Sequence, residues 1–175
     1  YISFLVLYRY YDRRYQALFG NAFSQGSTVQ NEQGVYMGFQ LTPIARWKLS
    51  VYADLFRFPW LKYGIDAPSG GQEYMAQIDY TPSRNYSTYL RYKYRQKEKN
   101  GTYENDNLLR INSYKQHRIR FQQVYNFSSP FIFKTSLDGI LFDDPIKKLN
   151  KGIMISQSIG SVSYTHLRAH ETKAN

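Results

Sequence analysis

The chain has no cysteine among its 175 residues. That excludes disulfides, thiolate nucleophiles and thiolate metal ligands. Histidine is scarce, with three residues, and two of these, His166 and His170, fall in a C-terminal tail set aside below. Acid is outnumbered, 13 Asp and Glu against 23 Lys and Arg. No apolar run approaches the ~20 residues that a membrane-spanning helix needs, so the chain is not a helical membrane protein. No phosphate-binding loop, dinucleotide fingerprint or zinc-ligand spacing occurs. The first residue is Tyr1 and no leader is visible, which leads us to expect that the natural start lies upstream.

What is present is aromatic and basic. Aromatics make up 18% of the chain, 18 of them Tyr, and the formal net charge is +10. Tyr in such numbers suits a surface that meets both lipid headgroups and water, although a soluble β-sandwich could also carry it. A basic balance points toward nucleic acid or an anionic membrane.

The clearest pattern is WKLSVYADL. Trp47, Leu49, Val51, Ala53 and Leu55 alternate with Lys48, Ser50, Tyr52 and Asp54. Strict period two marks a strand with one apolar and one polar face. Its nine residues are enough for a tilted strand to cross a bilayer. The segment 34–42 repeats the pattern, with Val35, Met37, Phe39 and Leu41 set against Tyr36, Gly38, Gln40 and Thr42.

Similar segments run through the chain. Tyr1–Tyr11 is a less regular strand, because Leu5 and Leu7 share its second face. Glu73–Thr81 sets Tyr74, Ala76, Ile78 and Tyr80 against Met75, Gln77 and Asp79. Tyr86–Lys97 sets Leu90, Tyr92 and Tyr94 against Arg91, Lys93 and Arg95. Strands are also expected near 115–127, 131–141 and 152–160.

Short connections, at Pro43–Arg46, Pro82–Asn85 and Ser128–Pro130, alternate with long polar ones, at Asp12–Gln33, Arg57–Gly71 and Lys97–Asn107. Transmembrane barrels alternate tight turns with extended loops in this way. Soluble up-and-down barrels do so less regularly. The fold expected is therefore all-β, a partial antiparallel up-and-down transmembrane β-barrel of about eight strands that does not close, spanning 1–161.

In lipid, charges are expensive, so the polar-face residues Lys48, Ser50, Tyr52, Asp54, Gln77, Asp79, Arg91, Lys93 and Arg95 are expected to face a lumen. Val35, Met37, Phe39, Leu41, Trp47, Leu49, Val51, Ala53 and Leu55 are expected to face lipid, with Trp47 at one end of its strand and Phe56 and Phe58 at the other forming interfacial girdles. Asp54 and Asp79 read either as a carboxylate pair or, the plainer expectation, as partners of Arg91 or Lys93 in lumen salt bridges.

Other motifs carry less. YLRYKYRQK interleaves aromatics with cations, which on a soluble sheet would suit nucleic-acid bases and phosphates. Beside its neighbours it reads as a basic lumen stripe backed by a Tyr girdle. His117 lacks any sequence partner for a catalytic triad, and a lone strand His is commonly structural or exposed. Asp143-Asp144 lacks a fuller calcium-ligand pattern. No catalytic role, cofactor or metal is expected.

The tail Val162–Thr172, VSYTHLRAHET, resembles residue for residue the read-through translation of a transposon-end adapter used to build sequencing libraries. Lys173–Asn175 then reads as index sequence, and 162–175 stands outside the fold. A chain cut at such an adapter would have lost further strands.

The runs NEQGVYMGFQLTP (Asn31–Pro43) and DLFRFPWLKYGIDAPSGG (Asp54–Gly71) resemble the barrel part of outer-membrane proteins of Bacteroidota. In that group a similar barrel can follow a helix-hairpin-helix segment, which is not seen here, so nothing about DNA binding carries over. The resemblance covers about Tyr1–Gly160 and implies a bacterial outer-membrane location. It implies lipid and lipopolysaccharide as partners, small solutes as cargo of a pore or transporter, or a structural envelope role. The rival expectation is a soluble basic β-protein that binds nucleic acid or polysaccharide.

Overall fold

The computed structural model describes residues 1–16, 22–101, 110–127, 131–145 and 149–161. The expected turn Ser128–Pro130, the whole connection 102–109 and the tail from Val162 lie outside them.

Eight strands form one sheet: β1 (Ile2–Tyr11), β2 (Glu32–Leu41), β3 (Trp47–Phe58), β4 (Ser69–Ser83), β5 (Tyr86–Gly101), β6 (Arg110–Asn126), β7 (Phe131–Asp143) and β8 (Asn150–Ser161). Each pairs antiparallel with its sequence neighbours, in the order β1 to β8. No pairing joins β1 to β8, so the sheet is an open meander with two free edges among the described residues.

Antiparallel reversal puts alternate connections at the same end. The connections after β2, β4 and β6 share one end, and those after β1, β3, β5 and β7 the other. At the short-connection end the chain turns tightly: Trp47 N donates to Ile44 O (3.2 Å), with Arg46 at positive φ. Pro82 does not begin the next turn. It sits inside β4 at a register shift between Tyr80 and Ser83, where a missing N–H is tolerated.

Several strands reach further toward the long connections than period two alone implied. β3 continues through Phe58, β4 starts at Ser69, β5 runs to Gly101 and β6 starts at Arg110. Phe56 and Phe58 keep the parity of Asp54, so both lie on the polar face. They are buried there with Ile65, and these three are the only buried hydrophobic residues among those described. They cannot serve as an interfacial girdle.

The apolar face runs in rows that the register defines. Leu41, Leu49, Ile78, Leu90, Phe121, Leu137 and Ile155 follow one another across seven strands. The next row holds Phe39, Val51, Ala76, Tyr92 and Ile119.

Aromatics border these rows. Trp47 and Tyr80 pack with ring centroids 4.4 Å apart toward the short turns, where Tyr86, Tyr125, Phe127 and Phe133 continue the border. Toward the long loops Tyr74, Tyr94 and His117 form the other border. Beyond it the same face turns polar, at Arg57, Gln72, Gln96 and Lys115.

Candidate functional site

The register gathers the expected polar-face residues on one side of the sheet. Lys48 faces Asp79, Ser50 faces Gln77, and Gln77 faces Arg91. Tyr52 and Asp54 lie across from Met75 and Glu73, which face Lys93 and Arg95. The nine residues expected opposite, Val35 to Leu41 and Trp47 to Leu55 in alternation, share the other side.

Two groups of charges stand on the polar side. The first is a corner on β1–β3. Gly34 lies directly between Arg9 and Phe56 in its row. A Cβ there would meet Arg9 Cζ at 2.7 Å, so the glycine lets the guanidinium lie flat across β2. Arg9 Nε donates to Glu32 Oε1 at 2.6 Å and Nη1 to Asp54 Oδ1 at 2.7 Å. Arg9 is 3% exposed, and Glu32 and Asp54 are 0% exposed.

The loop after β1 folds inward over this corner. Ser24 Oγ donates to Glu32 Oε2 (2.6 Å), and the Gln25 and Gly26 amides donate to the same carboxylate. Gln25 Nε2 donates to Asp54 Oδ2 (2.7 Å), while Lys97 Nζ donates to the Gln25 carbonyl (2.9 Å). Buried carboxylates need this many donors to remain charged.

Asn31, at φ 53°, holds the two long loops together. Its Nδ2 donates to Trp60 O (2.8 Å), and Trp60 N donates to its Oδ1 (2.9 Å). A cleft of about 660 Å³ opens between these loops, lined by Phe58, Lys62, Tyr63, Lys97 and Lys99. Lys62 Nζ stands 3.2 Å from the Phe58 ring centroid. Burial lowers its pKa, nearby Lys99 lowers it further, and Glu32 partly restores it.

The second group is a ladder on β5 and β6. Arg91 lies directly opposite Arg120, and Lys93 directly opposite Arg118. Arg95 continues the row on β5 beside Gln116. Glu73 contacts Lys93 (2.8 Å) and Arg95, and Asp138 contacts Arg118 (3.1 Å) and Arg120 (2.7 Å). Arg91 Nε donates to the neutral Gln77 (2.6 Å). The cations remain partly open to solvent, whereas Glu73 and Asp138 are buried.

The expected pairing of Asp54 and Asp79 with Arg91 or Lys93 is not what forms. Arg9 reaches Asp54 first, and Asp79 lies near Lys48 at 3.9 Å. Sequence reasoning missed Arg9, Gln25, Glu32, Glu73, Arg118, Arg120 and Asp138. Parity carried one or two residues further would have found Glu73 and both β6 arginines. No local signal marks the inward fold that brings Gln25 to Asp54.

His117 lies on the apolar side, with Tyr92 Oη 2.8 Å from its Nδ1. Among the described residues no group of three His, Asp or Glu side chains converges as a metal site.

The class the fold defines is an open antiparallel β-meander with charge on one face and exposed apolar side chains on the other. No family model, curated protein or solved structure matches the chain.

Proposed function

We propose that the chain is part of an outer-membrane β-barrel of a bacterium, resembling those of Bacteroidota, and acts as a pore, transporter or structural envelope protein. The observation that carries this reading is the inverted placement of charge and hydrocarbon. Arg9, Glu32, Asp54, Glu73 and Asp138 are buried, with Phe56, Phe58 and Ile65 the buried hydrophobic residues among those described, while large apolar side chains stand exposed along the opposite face, as at Ile78, Leu90, Ile119 and Leu137. In water such a face is a large uncovered apolar patch. In a bilayer it is the lipid-contacting surface, bordered by aromatics at both interfaces.

No described helix is long and apolar enough to cross a membrane. Arg57 and Lys115, just beyond the loop-side aromatic border, suit the anionic headgroups of lipopolysaccharide.

The test uses single cysteines in the full-length protein in membranes. Val51→Cys should react with a lipid-soluble thiol reagent and Ser50→Cys with a water-soluble one. Protection of Val51→Cys from both reagents would mean a packed protein core and would end the membrane assignment. Heat-modifiable migration after detergent extraction is the companion readout.

A further inference from the structure

We infer that the ladder on β5 and β6 binds small multivalent oxyanions, solutes bearing phosphate or clustered carboxylate groups. The inference rests on the barrel reading only in taking the polar face as the one that solutes reach.

Facing residues on neighbouring strands hold their Cβ atoms about 4.5–5.5 Å apart, and like charges in that relation repel. Two successive rungs here, Arg91 with Arg120 and Lys93 with Arg118, are both cation on cation. Arg95 adds a fifth charge, and the carboxylates in contact with the set are two, Glu73 and Asp138.

The corner on β1–β3 shows what this sheet does when charge is structural: Arg9 is closed between two acids and sealed by a loop. The ladder has the opposite design. Its cations exceed its acids by three, counting five against two, and the cations stay partly open while the two acids are buried. Arg offers planar donor forks that fit phosphate and carboxylate oxygens in pairs. An oxyanion between the members of a rung turns their repulsion into two charge-assisted contacts. Rungs repeat along the strand every ~6.7 Å, two residues of rise, so a solute with two anionic groups can span adjacent rungs.

Rows of basic side chains serve anion selectivity in pores on the same physical grounds. Nucleic acid would use the same cations, but it would also need exposed aromatics beside them for base stacking. Tyr92 and Tyr94 lie on the other side of the sheet, and Tyr89, beside the ladder on this face, already stacks with the Arg91 guanidinium, 5.1 Å from its ring centroid, and donates to Gln122.

The experiment titrates inorganic pyrophosphate into the detergent-purified full-length protein by calorimetry, at constant ionic strength. Saturable binding is expected. Arg91→Gln with Arg120→Gln should weaken it about tenfold or more, the scale of a lost charge-assisted contact. Arg91→Lys with Arg120→Lys, which keeps the charge, should retain most of it. Lys48→Gln, outside the ladder, should leave it unchanged.

Absence of saturable binding overturns the inference, as does equal binding by the glutamine and wild-type proteins. A single-stranded oligonucleotide that binds through Arg91 and Arg120 where pyrophosphate does not would also overturn it, in favour of nucleic acid. Failure of pyrophosphate binding with heat-modifiable migration intact removes the ladder and leaves the barrel. Binding by a protein that purifies without detergent removes the barrel and leaves the ladder.

Discussion

The corner around Arg9 and the ladder around Arg91 are built from the same residue types on the same face of one sheet. They differ in how their charges are met. At the corner each charge is buried and each has a partner of opposite sign, with loop amides supplying further donors. On the ladder cations face cations and remain wet. Burial explains the contrast: a charge withdrawn from water must be paired and hydrogen-bonded, whereas a hydrated charge can tolerate a like neighbour at small cost. The corner therefore holds the fold together at the loop end. On the ladder the two acids are buried and paired, and the cations in excess of them are the ones proposed for ligand recognition.

The sharpest way to break this comparison is to remove one cation from each group. Arg9→Met would leave Glu32 and Asp54 buried with no counter-ion. Breaking a buried pair by deleting one partner costs about 3–5 kcal/mol. Urea unfolding of the refolded protein in lipid vesicles should show that loss. A change below about 1 kcal/mol would mean that water or another cation reaches the corner, and the sealed description would fail.

A second substitution tests packing at the edge of the corner. Gly71 lies under the Phe56 ring, and a Cβ there would come within 2.5 Å of Phe56 Cζ and 2.6 Å of the Gln96 carbonyl oxygen. The side chain could move, but the carbonyl belongs to the neighbouring strand. Gly71→Ala should cost about 1–3 kcal/mol, the usual range for overpacking. The same unfolding assay reads it, and a neutral result would show that β5 can shift to make room.

Asn31→Ala should separate loop order from global stability. It removes both hydrogen bonds to Trp60 and leaves Ala at φ 53°. The local cost is about 1–3 kcal/mol. We expect faster proteolysis between Pro59 and Pro68 and a smaller shift in the unfolding midpoint than Arg9→Met gives. Unchanged proteolysis would mean that Lys62 and Ile65, which exchange backbone hydrogen bonds, hold the loop unaided.

How much of this was legible in the sequence follows from what period two encodes. It encodes which face a residue occupies, and Lys48, Asp54, Asp79 and Arg91 share one face in the sheet register as they do in the pattern. The hairpin pattern likewise anticipated the neighbour-to-neighbour antiparallel order of the strands, although Pro82 and Ser83 lie inside β4 and not in a turn. Period two says nothing of partners beyond the adjacent strand. Asp54 is met by Arg9, two strands away, because Gly34 lets the guanidinium lie across β2.

Loops obscure the pattern further. Asp12–Gln33 reads as solvated polar chain, yet Ser24–Gly26 is drawn inward by two buried carboxylates, Glu32 and Asp54. Phe56 and Phe58 misled for a related reason. An aromatic near the end of a strand suggests a membrane interface, but parity and the covering loop put both in the interior.

The smallest expected effect distinguishes the two regions by salt alone. Coulomb interactions between solvated charges are screened as ionic strength rises, with a Debye length of about 10 Å at 0.1 M and about 3 Å at 1 M. Buried pairs are screened much less. The repulsion between Arg91 and Arg120, and between Lys93 and Arg118, should therefore fade as sodium chloride is added, while the corner is left alone. The protein should gain a few tenths of a kcal/mol between low and moderate salt, the scale of exposed pairs. Arg91→Gln alone removes one repulsive rung and gives up only a hydrogen bond to neutral Gln77 and the stacking on Tyr89, so this variant should match or slightly exceed wild type at low salt and gain less on salt addition. Arg9→Met should keep the wild-type salt response, because its defect lies in a dry corner. Unfolding midpoints of the three proteins across a salt series decide the matter. If wild type loses stability with salt, the attractive contacts of Glu73 and Asp138 outweigh the repulsive rungs, and the ladder is a structural ion-pair network like the corner.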